Sequence, residues 1–163
     1  MQPECPVARS VAEFGERWRL LIVRDALHGL RRFDEFQESL GIAPNILTDR
    51  LNGLVADGML EKRRYSERPP RYEYCPTPKA KDLVPVLIAL VRWGTRWLSP
   101  EGATVELVDR TSGEPIDPVL VDAVTGQPIS ASTVRLRPGP AAGPEIHART
   151  ALIRARRTAM ARV

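Results

Sequence analysis

Histidine is nearly missing from this chain. Only His28 and His147 occur, far apart and with no cysteine or carboxylate at a metal-ligand spacing. No metal and no other cofactor is therefore expected. Cysteine is almost as scarce: Cys5 and Cys75 make no disulfide framework, and a reducing, cytoplasmic location is the expectation. No apolar run approaches about 18 residues, so no membrane partner is expected. The N-terminus has no basic stretch followed by an apolar one, so no secretory signal is read there. Neither a glycine-rich phosphate loop nor a nucleophile elbow is present, which speaks against an enzyme.

Lysine is scarce too, but positive charge is not. The chain has 163 residues, 24 Lys+Arg, 20 Asp+Glu and a net charge of +4. Only Lys62, Lys79 and Lys81 are lysines. Arginine grips guanine edges and phosphates with two parallel hydrogen bonds, so this bias favours a nucleic-acid partner. A hydrophobic fraction of 43% is enough for a real core.

Three zones follow one another: 1–98, 99–144 and 145–163. In the first, Val7, Val11 and Phe14 predict a short helix opened by Pro6 and ended by Gly15. Trp18, Leu21, Ile22 and Leu27 predict a second, stopped by Gly29. Phe33, Phe36 and Leu40 predict a third, stopped by Gly41. Pro44 opens a fourth, with Leu47, Leu51, Leu54 and Val55 on one face and Asn45, Thr48, Asp49 and Asn52 on the other. A fifth is expected from Thr77-Pro78 onward, with a broad apolar stripe from Leu83 to Trp97 that calls for a partner helix.

Between the fourth and fifth helices lies a basic hairpin. Two strand-like runs flank Glu67-Arg68-Pro69-Pro70-Arg71, a tip stiffened by two prolines. Helix, turn, helix and basic hairpin make a winged helix-turn-helix: mainly α, with a small β wing. In such a fold the helix opened by Pro44 enters the major groove. Asn45 suits adenine, Thr48 a base or phosphate, Asp49 cytosine, and Arg50 the backbone or an ion pair with Asp49 or Asp57. Arg64, Arg68 and Arg71 on the hairpin suit the minor groove or phosphates. These seven residues are the candidate DNA-binding set.

Here the sequence resembles the HxlR-type winged-helix transcriptional regulators of bacteria. The likeness covers about residues 5–98. It rests on Cys5-Pro6-Val7-Ala8-Arg9, on Trp18 to Asp25, on Gly29 to Phe36, on Asn45 to Leu51, and on Glu67 to Tyr74. The resemblance implies a homodimer on a pseudo-palindromic operator in double-stranded DNA. It also implies dimer contacts through the first helix and the helix after the wing. Members often have serine where Ala43 stands, so a helix cap worth about 1 kcal/mol is missing. Several members sense oxidants or electrophiles through a cysteine matching Cys5. Backbone N–H groups at a helix start favour its thiolate, whereas Glu4 works against it. The alternative for Cys5 is an inert, packed thiol. Cys75 is expected to be a small core residue.

Two other functional readings stay open. One is a small-ligand-responsive regulator, with Trp18, Trp93 and Trp97 lining an apolar pocket at the dimer seam. The other is a winged helix that binds protein instead of DNA. The Arg68–Arg71 tip speaks against that second alternative.

The zone 99–144 holds 7 of the 15 prolines and 5 of the 11 glycines. It contains a repeat: Val108-Asp109-x-x-Ser112-Gly113-x-Pro115-Ile116 recurs as Val121-Asp122-x-x-Thr125-Gly126-x-Pro128-Ile129. Each copy reads as strand, polar turn, strand. Strands at 105–108, 119–121 and 134–136 would form a meander, a C-terminal β-ribbon appendage. A partly ordered linker is the alternative, since proline demotes strands. Residues 145–163 form a basic tail, helical or frayed, that could add phosphate affinity.

Overall fold

The computed structural model describes residues 4–160. Two compact units are present: Phe14–Pro118, and Met1–Glu13 together with Val119–Val163. The first unit begins at the end of α1 (Pro6–Phe14) and continues through α2 (Arg17–His28), α3 (Phe33–Leu40) and α4 (Pro44–Ala56). The hairpin β1 (Leu60–Glu67) and β2 (Pro70–Pro76) follows, then α5 (Pro78–Lys81) and α6 (Val84–Leu98).

Proline and glycine set these boundaries as expected. Gly41 turns the chain between α3 and α4 at φ 60°, a left-handed conformation that side chains resist. Its N–H bonds the Gln37 carbonyl at 3.0 Å and closes α3. Pro44 stands in the first turn of α4, where its missing N–H costs nothing. The apolar face of α4 then points inward. Leu47, Leu51 and Leu54 are buried with Ile22, Val23 and Ala26 of α2, Phe36 of α3, and Met59, Leu60 and Tyr74 at the base of the hairpin.

The hairpin is antiparallel, from Leu60 opposite Pro76 to Glu67 opposite Pro70, with an irregularity between Arg64 and Ser66. Segment 31–32 adds a rudimentary third strand. Tyr74 N–H donates to the Arg31 carbonyl at 2.8 Å, and Arg32 bridges Glu73. Cys75 is half-buried beside the core.

The fifth helix differs from the single rod expected. It is broken between α5 and α6 at Asp82 and Leu83. Pro85 is the cause: it has no N–H for the carbonyl one turn back, and its ring would clash there. Thr77 caps α5, accepting from the Ala80 N–H at 3.4 Å and donating to the Gly58 carbonyl at 2.7 Å.

The appendage, too, departs from expectation in detail. The described residues contain no continuous three-stranded meander in 99–144. Instead each repeat copy closes a miniature hairpin through one antiparallel bridge, Val108 with Pro115 and Val121 with Pro128. The two copies match bond for bond. Asp109 N–H reaches the Glu114 carbonyl at 2.8 Å, and Asp122 N–H the Gln127 carbonyl at 2.9 Å. Gly113 and Gly126 sit at φ 75° and 69°. Proline at 115, 118 and 128 offers no N–H, so neither ladder extends. The basic tail is helical: α7 runs Pro144–Met160, while the tail's fifth arginine, Arg162, lies outside the described residues.

Candidate nucleic-acid interface

Helix α4 is two-faced. Leu47, Leu51 and Leu54 anchor its underside, so Asn45, Thr48, Asp49 and Asn52 are left exposed. Thr48 Oγ1 donates to the Pro44 carbonyl at 2.8 Å, which fixes its rotamer and leaves its lone pairs and methyl group outward. Ala43 caps α4 without a side-chain hydrogen bond, as the sequence implied.

Two ion pairs hold this helix against α2. Arg50 pairs with Glu16 rather than with Asp49 or Asp57, and Asp57 is taken by Arg19. Gly53 leaves room for the second pair. A Cβ there would sit 2.8 Å from the Arg19 guanidinium that lies across the helix. The sequence reading missed Glu16 and Arg19, although a glycine in mid-helix was a usable signal. Deeper in, buried Asp25 accepts from Ser39 at 2.7 Å and Arg24 at 2.8 Å, tying α2 to α3. Glu35 accepts from the N–H groups of Arg31 and Arg32 at 2.6 and 2.9 Å. Those bonds, Arg31's first, hold its carboxyl below the usual range.

On the wing, most cations have internal partners. Arg63 pairs with Glu61 at 2.7 Å. Lys62 lies 4.4 Å above the Tyr72 ring. Arg32 meets Glu73 at 3.4 Å and stacks 4.7 Å from Tyr65. Arg64 folds back on its own strand, donating to the carbonyls of Ser66 at 3.2 Å and Glu67 at 3.0 Å. Arg68 and Arg71 are different: both are exposed at the tip, and neither has an ion pair among the described residues. Along β1 only Leu60, at the base of the wing, is buried.

Cys5 belongs to the other unit, at the start of α1. The Ala8 N–H is the main cause that lowers its thiol pKa, with Val7 N–H and Arg149 helping. Arg149 Nη1 lies 3.8 Å from the sulfur. The carboxylate opposing the thiolate is Glu145. Glu4, expected in that role, instead accepts from the Ile146 N–H at 3.3 Å, at the start of α7. Nothing in the sequence pattern paired Arg149 with Cys5.

A trihelical core, a helix-turn-helix with an exposed polar recognition face, and a basic two-stranded wing together define a winged-helix DNA-binding regulator of transcription. The chain belongs to the HxlR-like helix-turn-helix family, whose pattern matches residues 13–102. It is 40% identical to the uncharacterized HTH-type transcriptional regulator Rv3095 of Mycobacterium tuberculosis over 135 residues, 82% of this chain and 85% of that one. The Pseudomonas aeruginosa protein PA1374, described as a transcription factor, is 50% identical with a TM-score of 0.64, covering 89% of this chain and 99% of its own. The redox regulator HypR in its reduced form is 28% identical with a TM-score of 0.55, over 58% of this chain and 95% of its own. The stretch shared with Rv3095 is longer than the 102 positions up to the end of the family match, so that likeness runs into the appendage. No helix among the described residues is long and apolar enough to cross a membrane.

Proposed function

We propose that this regulator binds a pseudo-palindromic operator as a homodimer, with α4 in the major groove and the wing tip on the flanking minor groove or phosphates. Asn45, Thr48 and Asp49 read base edges. Arg68 and Arg71 contact the backbone, and Arg64 shapes the wing end from which they project. Arg50, held by Glu16, positions α4 and lies next to the phosphates that border it. The observation that carries the reading is the contrast on the wing: its other cations are engaged internally, while the two at the tip are not. An unpaired guanidinium on a stiff tip keeps its hydrogen-bonding capacity for a partner. Two α4 helices across a dimer would sit about 34 Å apart, one turn of DNA.

The test is fluorescence anisotropy with the duplex upstream of the chain's own coding region. Replacing both Arg68 and Arg71 by Ala should weaken binding to specific and random duplexes alike. Thr48→Ala should weaken the specific complex more. Equal losses on both duplexes for Thr48→Ala would refute base readout there.

A second reading concerns the signal. Cys5 combines a lowered thiol pKa with a guanidinium at 3.8 Å, the setting of a reactive thiolate, and this supports redox or electrophile sensing. In a Cys75→Ser chain, alkylation of Cys5 should show a midpoint below that of a free cysteine. Arg149→Ala should move the midpoint up. A midpoint at the free-cysteine value, unmoved by Arg149→Ala, would leave Cys5 as a plain packing residue.

A further inference from the structure

Helix α6 and the first repeat hairpin border a groove of about 350 Å³ that opens to solvent. All of its walls belong to the unit Phe14–Pro118. Val91, Arg92, Thr95 and Arg96 form the helical wall, at a spacing that puts them on one side of the helix. Val105, Leu107 and Ile116 make the other wall apolar, with Glu106 and Asp117 among them. The volume is at the small end for ligand sites and suits a molecule of amino-acid size.

The charges in the groove are of two kinds. Arg92 and Asp117 satisfy each other through two hydrogen bonds, 2.6 and 3.3 Å, and so fasten the hairpin to the helix. Arg96 and Glu106 are left over. Arg96 lies 5.3 Å from the Trp97 ring but makes no ion pair among the described residues. Glu106 has neither an ion pair nor a hydrogen bond there, so these two opposite charges stand on facing walls without meeting. The hydroxyl of half-buried Thr95 bonds no protein group among the described residues either. A cation, an anion and a hydroxyl thus border an apolar surface with their hydrogen-bonding capacity unused.

The repeat itself singles out the two acids. Asp109, Ser112, Gly113 and Pro115, which build the first turn, recur as Asp122, Thr125, Gly126 and Pro128 in the second. Glu106 and Asp117 do not recur: Val119 and Ser130 stand at those places. A hairpin of this kind therefore folds without them. They occur in the copy that faces the arginines, and Asp117 alone accounts for the fastening. Glu106 has no structural duty.

We propose that this groove binds a zwitterionic α-amino acid with an apolar side chain. Arg96 and the Thr95 hydroxyl hold its carboxylate, and Glu106 holds its ammonium. The side chain covers Val105 and Ile116, which are otherwise 60% and 48% exposed. A simple anion would leave Glu106 unpaired beside it, and a simple cation would do the same to Arg96. A ligand with both charges satisfies both walls.

The test is isothermal titration of the full-length chain with L-leucine and with L-phenylalanine. No DNA is present, so the result stands whether or not α4 reads an operator. Saturable binding with a Kd of about 1 mM or tighter is expected, which suits so small a ligand. Leucinamide lacks the carboxylate and N-acetyl-leucine lacks the ammonium; each should bind at least about tenfold more weakly. Glu106→Gln should weaken leucine by a similar factor and leave N-acetyl-leucine unchanged, whereas Arg96→Gln should weaken both. Both side chains are exposed and make no ion pair, so each variant should melt as the native chain does. The proposal is overturned by no saturable binding of either amino acid up to about 10 mM. It is equally overturned if N-acetyl-leucine binds as tightly as leucine, or if leucine binding ignores both substitutions. In a ¹⁵N-labelled chain, leucine should shift the amide signals of residues 91–96 and 105–117, and shifts centred elsewhere would overturn the assigned site.

Discussion

Residues 14–81 and residues 99–160 carry comparable shares of apolar side chains and treat them in opposite ways. In the first region Phe36, Leu47, Leu51 and Leu54 are wholly removed from water. In the second, Val119, Leu120, Val124, Leu136 and Leu152 are exposed by 60% or more, and α7 buries nothing. Helix α6 sides with the second region, although its sequence is the most apolar stretch in the chain. The difference separates two jobs. One region folds against itself and so can hold a recognition helix still. The other is ordered locally, by turn hydrogen bonds such as Asp109 Oδ1 with the N–H groups of Thr111 and Ser112 at 2.9 and 2.8 Å, and offers its apolar surface outward.

Core truncation should break this contrast most visibly. Phe36→Ala is expected to cost about 3–5 kcal/mol in chemical denaturation, because a filled, fully buried site is emptied. Val124→Ala in dilute protein should change stability by less than about 0.5 kcal/mol. A large loss from Val124→Ala at dilution would show that the appendage is part of the core.

The surface proposed to face DNA comes next in size. Asn45→Ala should cost about 1–3 kcal/mol on the specific duplex and far less on a random one. Replacing both Arg68 and Arg71 by Ala should lower the salt slope by about 2, since each arginine releases roughly one counterion. An unchanged slope would place the wing tip away from phosphate.

A smaller effect sharpens the account of α4. Ala43→Ser supplies the absent cap and should stabilise by about 0.5–1 kcal/mol, read as a rise in denaturation midpoint.

The smallest expected effect depends on pH. Glu35 has its carboxyl held below the ordinary value by the N–H groups of Arg31 and Arg32. Its contribution is therefore fully present above about pH 4.3 and fades as pH falls through the lower folded value. Glu35→Gln should be less stable than the native chain near neutrality, and the gap should close in acid. A gap that widens on acidification would reverse the assignment.

The helix-turn-helix was legible in the sequence because short-range chemistry dictates it. Pro6, Pro44, Gly29 and Gly41 mark helix ends by backbone geometry alone, and leucines at helical spacing mark the buried face of α4. The wing tip was legible from Arg68-Pro69-Pro70-Arg71. Pro85 was in plain view and breaks the helix after the wing into α5 and α6, but the strength of the flanking apolar stripe masked it. Tertiary partners were not legible: Glu16 for Arg50, Asp57 for Arg19 and Arg149 for Cys5 are brought together only by the fold. In the appendage the repeat was visible as sequence and holds as structure. Its prolines limit each copy to one bridge, which strand-like residues alone do not reveal.

Hydroxyl-radical footprinting of the native chain on its own upstream duplex tests the central claim most directly. The account predicts two protected patches centred about one helical turn apart, roughly 10 base pairs, with outer protections that vanish when Arg68 and Arg71 are both Ala. A folded, dimeric chain that leaves the duplex evenly cut, or that protects it identically with and without the tip arginines, would contradict it.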